Sequence, residues 1–146
     1  MLSKTLFLCT GNYYRSRFAE VLFNHHTSTA DVSWRANSRG LATDLARRNV
    51  GPISPHAIDA LSSRGIALPK PLRFPRGLQR FELEHAHLIV AVKESEHRPM
   101  LFARFPEWVE RVEYWHIDDV DVAAPHVALT QLERNVRELI ARLPAR

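Results

Sequence analysis

The chain is predicted to fold as an α/β three-layer sandwich, a four-stranded parallel sheet with helices on both faces, and three observations carry that prediction. Short apolar runs alternate with helix-period segments along its length, the pattern of a parallel sheet connected through helices. One run, Leu88-Ile89-Val90-Ala91-Val92, is apolar without interruption, as a central strand covered on both faces must be. The 146 residues show no linker, repeat or low-complexity stretch, so a single domain over 1–146 is expected.

Taken in order, Lys4 to Cys9 reads as a buried first strand. Ser16 to His26 reads as a helix, with Phe18, Ala19, Leu22 and Phe23 at helical spacing. Val32 to Ser38 alternates Val32, Trp34 and Ala36 with polar neighbours, as a second strand does, and Ser38-Arg39-Gly40 ends it. Ser54 followed by Pro55 is a helix start; Ala57, Ile58 and Leu61 supply the apolar face and Gly65 the stop. Pro69, Pro71 and Pro75 make Ala67 to Pro75 an extended surface loop at the border of the site. His87 to Val92 is the third strand, and Glu94 to Arg104 a helix that Pro99 should disturb. Val109 to Ile117 is the fourth strand. Ala128 to Leu143 closes the fold as an amphipathic helix with Leu129, Leu132, Val136, Leu139, Ile140 and Leu143 inward.

Composition narrows the function. Hydrophobic residues at 45% and charged residues at 25% are globular values that exclude disorder. The net charge of +4 is modest and its arginines are scattered, so no nucleic-acid partner is expected. A single cysteine excludes an internal disulfide and a multi-cysteine metal site, which suits a reducing compartment. With no apolar stretch near about eighteen residues and no signal-peptide pattern, a cytoplasmic protein without membrane association is expected. Adjacent His25 and His26 cannot face one ion together, and His85 and His87 lack ligand-spaced partners; no metal or other cofactor is expected. Trp34, Trp108 and Trp115 read as core or rim packing.

The chemistry lies in Cys9-Thr10-Gly11-Asn12-Tyr13-Tyr14-Arg15-Ser16, between the first strand and the first helix. A cysteine and an arginine separated by five residues can close one loop whose N–H groups converge on a tetrahedral oxyanion at a helix start. Arg15 adds a two-pronged donor. Both features favour the Cys9 thiolate, the form that attacks. Gly11 and Asn12 stand where a tight turn needs positive φ. Cys9 as nucleophile on phosphorus also needs an acid for the departing oxygen. Ligands of parallel sheets bind beyond the carboxyl ends of the strands, which brings Asp118, Asp119 and Asp121, after the fourth strand, into reach.

On these residues the chain resembles the low-molecular-weight protein-tyrosine phosphatases, which open with a short strand, Cys, a five-residue loop containing Gly-Asn, and Arg-Ser. The resemblance implies a phosphotyrosine protein phosphatase I-like fold, with Cys9 as nucleophile, Arg15 as phosphate clamp and Ser16 as hydroxyl donor to the thiolate. It further implies that Asn12 stiffens the loop, and that Ser38 is the serine that hydrogen-bonds it. In the family an Asp-Pro pair supplies the proton; Trp115 and the spacing after it point to Asp119, although Val120 replaces the proline and Asp118 immediately precedes. The histidine that supports the loop in relatives has no equivalent in Pro71-Leu72-Arg73. No aromatic residue follows Asp119 closely, so Tyr13 and Tyr14 are expected to supply the aromatic wall. Tyr14 occupies the place of a second cysteine found in some relatives, so no protective loop disulfide can form and oxidation of Cys9 past sulfenic acid is irreversible.

The expected function is therefore a metal-independent phosphomonoesterase working through phosphocysteine on a phosphorylated protein (phosphotyrosine) or a small aryl phosphate, with phosphate or another oxyanion held in the loop. Two alternatives stand beside it. One is a non-catalytic phosphate or phosphoprotein-binding module. The other is an arsenate reductase, which with one cysteine would need an external thiol.

Overall fold

The computed structural model describes residues 2–144; Met1, Ala145 and Arg146, at the two ends of the expected 1–146 unit, lie outside the described residues. Four parallel strands, β1 (Ser3–Cys9), β2 (Trp34–Gly40), β3 (Leu88–Ala91) and β4 (Glu113–Tyr114), form one sheet in the order β2-β1-β3-β4. The α-helices among the described residues are α1 (Arg15–Thr29), α2 (Pro55–Ser63), α3 (Arg80–His85), α4 (Glu94–Arg104) and α5 (Pro125–Arg142).

Side chains alternate across a strand, and the two cores follow from that. Phe7, Val90, Trp115 and Ile117 face α1, α2 and α5 through Phe18, Leu22, Leu61, Leu129, Leu132 and Val136. Leu6, Leu8, Ile89 and Ala91 face the other way, toward Leu83 of α3, Leu101 of α4 and Trp108. Phe7 sits at the centre of the larger core, with ring centroids 5.8 Å from Phe23 and 5.9 Å from Trp115. The predicted three-layer α/β sandwich is the fold found.

The chain runs from β1 to β2 on one side and later returns to β3 on the other. The order therefore reverses beside β1, and the crevice beyond its carboxyl end is the ligand position of such sheets. Cys9 is the last residue of β1.

Helix α1 runs three residues past its expected end and α5 begins three residues early, and four other elements depart from expectation. β2 begins and ends two residues later than predicted, and its last three residues, Ser38, Arg39 and Gly40, are buried although polar. The expected strand Val109–Ile117 contracts to Glu113–Tyr114, because Pro106 opens a 3₁₀ segment, Pro106–Arg111, that buries Trp108 and Val109. Past its end, Trp115 and Ile117 still donate to Ala91 and Val92. Pro99 does not break α4: Pro99 and Ser95, whose carbonyl loses its partner, are both exposed, so water can replace the missing bond. Helix α3, unforeseen, has six residues and is closed by a capping box between Gln79 and Glu82. Among the described residues no helix is long and apolar enough to cross a membrane, and no cluster of His, Cys, Asp or Glu could hold a metal ion.

Candidate active site

Between Cys9 and the start of α1 the backbone closes a loop at the sheet's carboxyl edge. Among the described residues, no N–H from Gly11 through Arg15 donates to a backbone carbonyl. These donors, at the positive end of a fifteen-residue helix, form an anion cradle. Asn12 has φ +53°, as the sequence predicts, but Gly11 does not have positive φ. Its role is close approach, since a Cβ there would lie 2.6 Å from the Ala46 Cβ. Gly40 is needed for the same reason: a Cβ would stand 2.8 Å from the Thr10 carbonyl oxygen.

Cys9 is buried, its Sγ 2.9 Å from Ser16 Oγ. Asn12 Nδ2 donates to that same Ser16 oxygen at 2.8 Å, which leaves the Ser16 hydroxyl proton free for the sulfur when Cys9 is a thiolate. Asn12 is fully satisfied. Its other amide hydrogen goes to Ser38 Oγ at 2.9 Å, and its Oδ1 accepts from Arg73 Nη1 at 2.9 Å and the Arg76 N–H at 3.1 Å. Arg73 thus occupies the position where the sequence offers no histidine. It also donates to the Ser38 carbonyl and to Glu20, and Ser38 donates to Glu20. Arg17, buried, donates to the carbonyls of Pro52 and Arg73 and so ties the two neighbouring loops to α1.

A family model for the low molecular weight phosphotyrosine protein phosphatases matches residues 4–146. The chain belongs to that family. It is 28% identical to the protein-arginine-phosphatase of Bacillus subtilis over 94% of this chain and 89% of the relative. Among solved structures it is similar to a low molecular weight protein tyrosine phosphatase from T. tengcongensis, with TM-score 0.81 and 24% identity over 97% and 99% of the two chains. It is also similar to Vibrio vulnificus Wzb in complex with benzylphosphonate, with TM-score 0.80 and 18% identity over 98% and 100%. This family membership makes the chain a cysteine-based phosphatase.

The phosphatase loop forms one wall of a cleft of about 420 Å³ that Tyr13, Tyr14, His56 and Leu45 also line, and the segment after β4 contributes Asp119 and Val120 as the other. Tyr13 is pinned through its hydroxyl to the Val50 carbonyl at 2.6 Å. Tyr14, expected as an aromatic wall, is buried and packs edge-on to His56. Burial and Asp119 push its phenol up to about 12 against Arg15, so it remains neutral.

Of the three aspartates, Asp119 alone lines the cleft, with Oδ2 3.4 Å from Arg15 Nη2. Asp118 is paired with Lys93, and Asp121 is exposed. Val120, the departure from the family's proline, has a use here. Its N–H donates to Asp119 Oδ1 at 2.8 Å, a bond no proline could make.

Besides Arg73, a second residue of the site went unrecognised in the sequence. Glu96, in the first turn of α4, takes Arg15 by both oxygens, Nη1 to Oε1 at 3.2 Å and Nη2 to Oε2 at 2.8 Å. Its Oε2 also accepts from Thr10 Oγ1 and lies 3.1 Å from His97 Nε2. Burial alone would raise its carboxyl, but the hydrogen bonds from His97, Arg15 and Thr10 hold it well below the usual carboxylate range. The available signal was its place just beyond the apolar run 88–92, where ligand groups of parallel sheets collect.

Proposed function

We propose that the protein hydrolyses phosphotyrosine on proteins, and small aryl phosphates, through a phosphocysteine intermediate. The observation that carries the reading is the meeting at one cleft of a buried cysteine, five loop N–H groups that among the described residues have no backbone carbonyl partner, a fixed arginine and the Asp119 carboxyl group on the facing wall. Cys9 Sγ attacks phosphorus in line, forming the S–P bond as the P–O bond to the leaving group breaks. Arg15 and the loop N–H groups hold the equatorial oxygens. Asp119 gives its proton to the departing oxygen. Water then attacks the phosphocysteine while Asp119 takes a proton from it, releasing phosphate and the thiolate. Asn12, Ser16 and Ser38 keep the loop in shape for both steps.

Tyr13 and His56, which line the cleft with the buried Tyr14 packed edge-on to His56, support an aryl substrate, since rings pack on rings. A second reading, phosphoarginine, is favoured by the relative named as a protein-arginine-phosphatase. Asp119 suits either, because a guanidinium leaving group also needs a proton and a carboxylate partner. The test is metal-free hydrolysis of matched phosphotyrosine and phosphoarginine peptides by the wild type and Cys9→Ser. Tyrosine turnover that is lost in Cys9→Ser supports the proposal; turnover confined to phosphoarginine replaces the substrate. No turnover of either, with vanadate still raising the melting temperature, would indicate a phosphate-binding module instead. Arsenate-dependent consumption of an added thiol would point to the reductase chemistry.

A further inference from the structure

We infer that Glu96, held by Thr10 and His97, is the positioning residue for Arg15: it fixes the end of the guanidinium so that the side edge, Nε with Nη2, faces the oxyanion. The inference deepens the phosphatase reading and rests on it for its kinetic arm only.

Arg15 is 2% exposed, and a buried guanidinium holds one orientation only where its donors are matched. Nη1 donates to Glu96 Oε1 and to the Ile117 carbonyl at 2.9 Å. Nη2 donates to Glu96 Oε2. Among the described residues Nε has no hydrogen-bond partner in the protein, and Arg15 lines the cleft. The end-on edge is thus committed and the side-on edge remains for ligand. A bidentate clamp works only in that orientation.

Glu96 is itself anchored in a way that a helix-start carboxylate serving only the dipole would not need. His97 is fully buried, and its Nδ1 accepts the Lys93 N–H at 3.1 Å. That bond makes Nε2 the protonated nitrogen of the neutral ring, directed at Glu96 Oε2 and at Thr10 Oγ1, each 3.1 Å away. Thr10, from the phosphate loop itself, closes the ring of contacts. Loop, helix α4 and arginine are therefore one hydrogen-bonded unit. Without the Glu96 carboxylate the fork has only Ile117 to hold it, and Asp119, 3.4 Å from Nη2, becomes the nearest remaining carboxyl group. Closing on Asp119 would turn the clamp away from phosphate and engage the proton donor.

Orientation matters most where three equatorial oxygens must be met at once, so the effect belongs to the transition state rather than to ground-state binding. With p-nitrophenyl phosphate, Glu96→Gln is expected to lower kcat about 10- to 100-fold with KM changed less than about threefold. In an Arg15→Lys background, where no fork exists to orient, the same substitution should cost less than about threefold. Equal losses in both backgrounds, or a change confined to KM, would overturn the inference and leave Glu96 a helix-start residue. An independent arm needs no turnover: Glu96→Gln should weaken vanadate, which adopts the five-coordinate geometry, about tenfold and inorganic phosphate less than about threefold. Uniform weakening or none overturns the inference even if no phosphate ester is ever hydrolysed, so its failure is separable from that of the phosphatase reading. Should Glu96→Gln fail to fold, Thr10→Val removes one anchor while leaving the carboxylate, and the same selective loss of vanadate over phosphate, smaller in size, is required.

Discussion

The two walls of the cleft are built on opposite principles. On one side, Asn12, Ser16 and Arg15 are almost entirely buried, and Asn12 has all four of its side-chain hydrogen-bonding positions filled. On the other, the segment after β4 is open: Val120 and Val122 are 47% and 65% exposed. It is held by the Lys93–Asp118 pair and by N–H groups of Val122 and Ala123 folding back on the Asp119 carbonyl. The difference matches the tasks proposed for them. Donors aimed at an oxyanion help only if they need not reorganise as charge develops, whereas a proton donor must let a leaving group in and out. Damage to the buried wall should therefore appear in oxyanion binding and stability together, and damage to the open wall in turnover alone.

The sharpest break of this contrast is Asp119→Asn. Loss of a positioned acid costs about 10²- to 10⁴-fold, and the loss should be largest for phosphotyrosine peptides and smallest for p-nitrophenyl phosphate, whose leaving group needs no proton. Vanadate affinity should change little. Equal losses for good and poor leaving groups would remove Asp119 from the acid's role, and Asp118→Asn, measured alongside, would show whether its neighbour takes it.

Asn12→Ala should break the other wall. It leaves Ser38, Arg73 and the Arg76 N–H without their shared partner, at a cost of about 1–3 kcal/mol, visible as a lowered melting temperature. The loop geometry loosens with it, so phosphate and vanadate should both bind more weakly and kcat/KM fall by roughly tenfold or more. A variant as stable as the wild type with intact vanadate binding would show that the polar network is dispensable.

This contrast explains which parts were legible in the sequence. The buried wall is local: Cys9, Asn12, Arg15 and Ser16 lie within eight residues, and the strand and helix around them carry clear hydrophobic periods. Ser38 could be placed only through the family resemblance. Arg73 sits in the very tripeptide in which no histidine was found, yet nothing local says that an arginine will reach Asn12, 61 residues earlier. Glu96 is 81 residues from Arg15, and charge pairs at that separation leave no periodic trace. Among the elements, α3 is too short to show a helical period, and the expected fourth strand is longer than β4 because a 3₁₀ segment buries Val109 as readily as a strand would.

Acid should separate two contributions to stability. Burial pushes His97 below the ordinary histidine value despite Glu96, and burial pushes His26 down as well. For both, the unfolded chain takes up a proton that the folded state resists, so their stabilisation is complete above about pH 6.5 and is lost as pH falls below it. Glu96, held low by its hydrogen bonds, adds a second loss below about pH 4.3. The melting temperature should fall in two stages from pH 7.5 to 3.5. His97→Gln should shrink the first stage while leaving the part due to His26; an unchanged first stage would mean that His97 titrates freely in the folded protein.

The smallest effect, and the most direct probe of the open wall, is Lys93→Ala. The Lys93–Asp118 pair is partly exposed, with side chains 21% and 40% accessible, and such pairs contribute roughly 0–1 kcal/mol. Stability should therefore hardly move. Yet Lys93 leads from β3 into α4, and its partner Asp118 is the residue before the proposed acid, so the pair ties the open segment to the same helix start that holds Arg15 through Glu96. Releasing that tie broadens the positions available to Asp119 without touching the cradle. The expected outcome is a loss of about two- to fivefold in kcat for phosphotyrosine peptides, unchanged affinity for vanadate, and a smaller loss with p-nitrophenyl phosphate. Weakened vanadate binding in Lys93→Ala would show that the two walls are mechanically one, and that the flexibility assigned to the acid's side is confined to the exposed residues beyond Asp119.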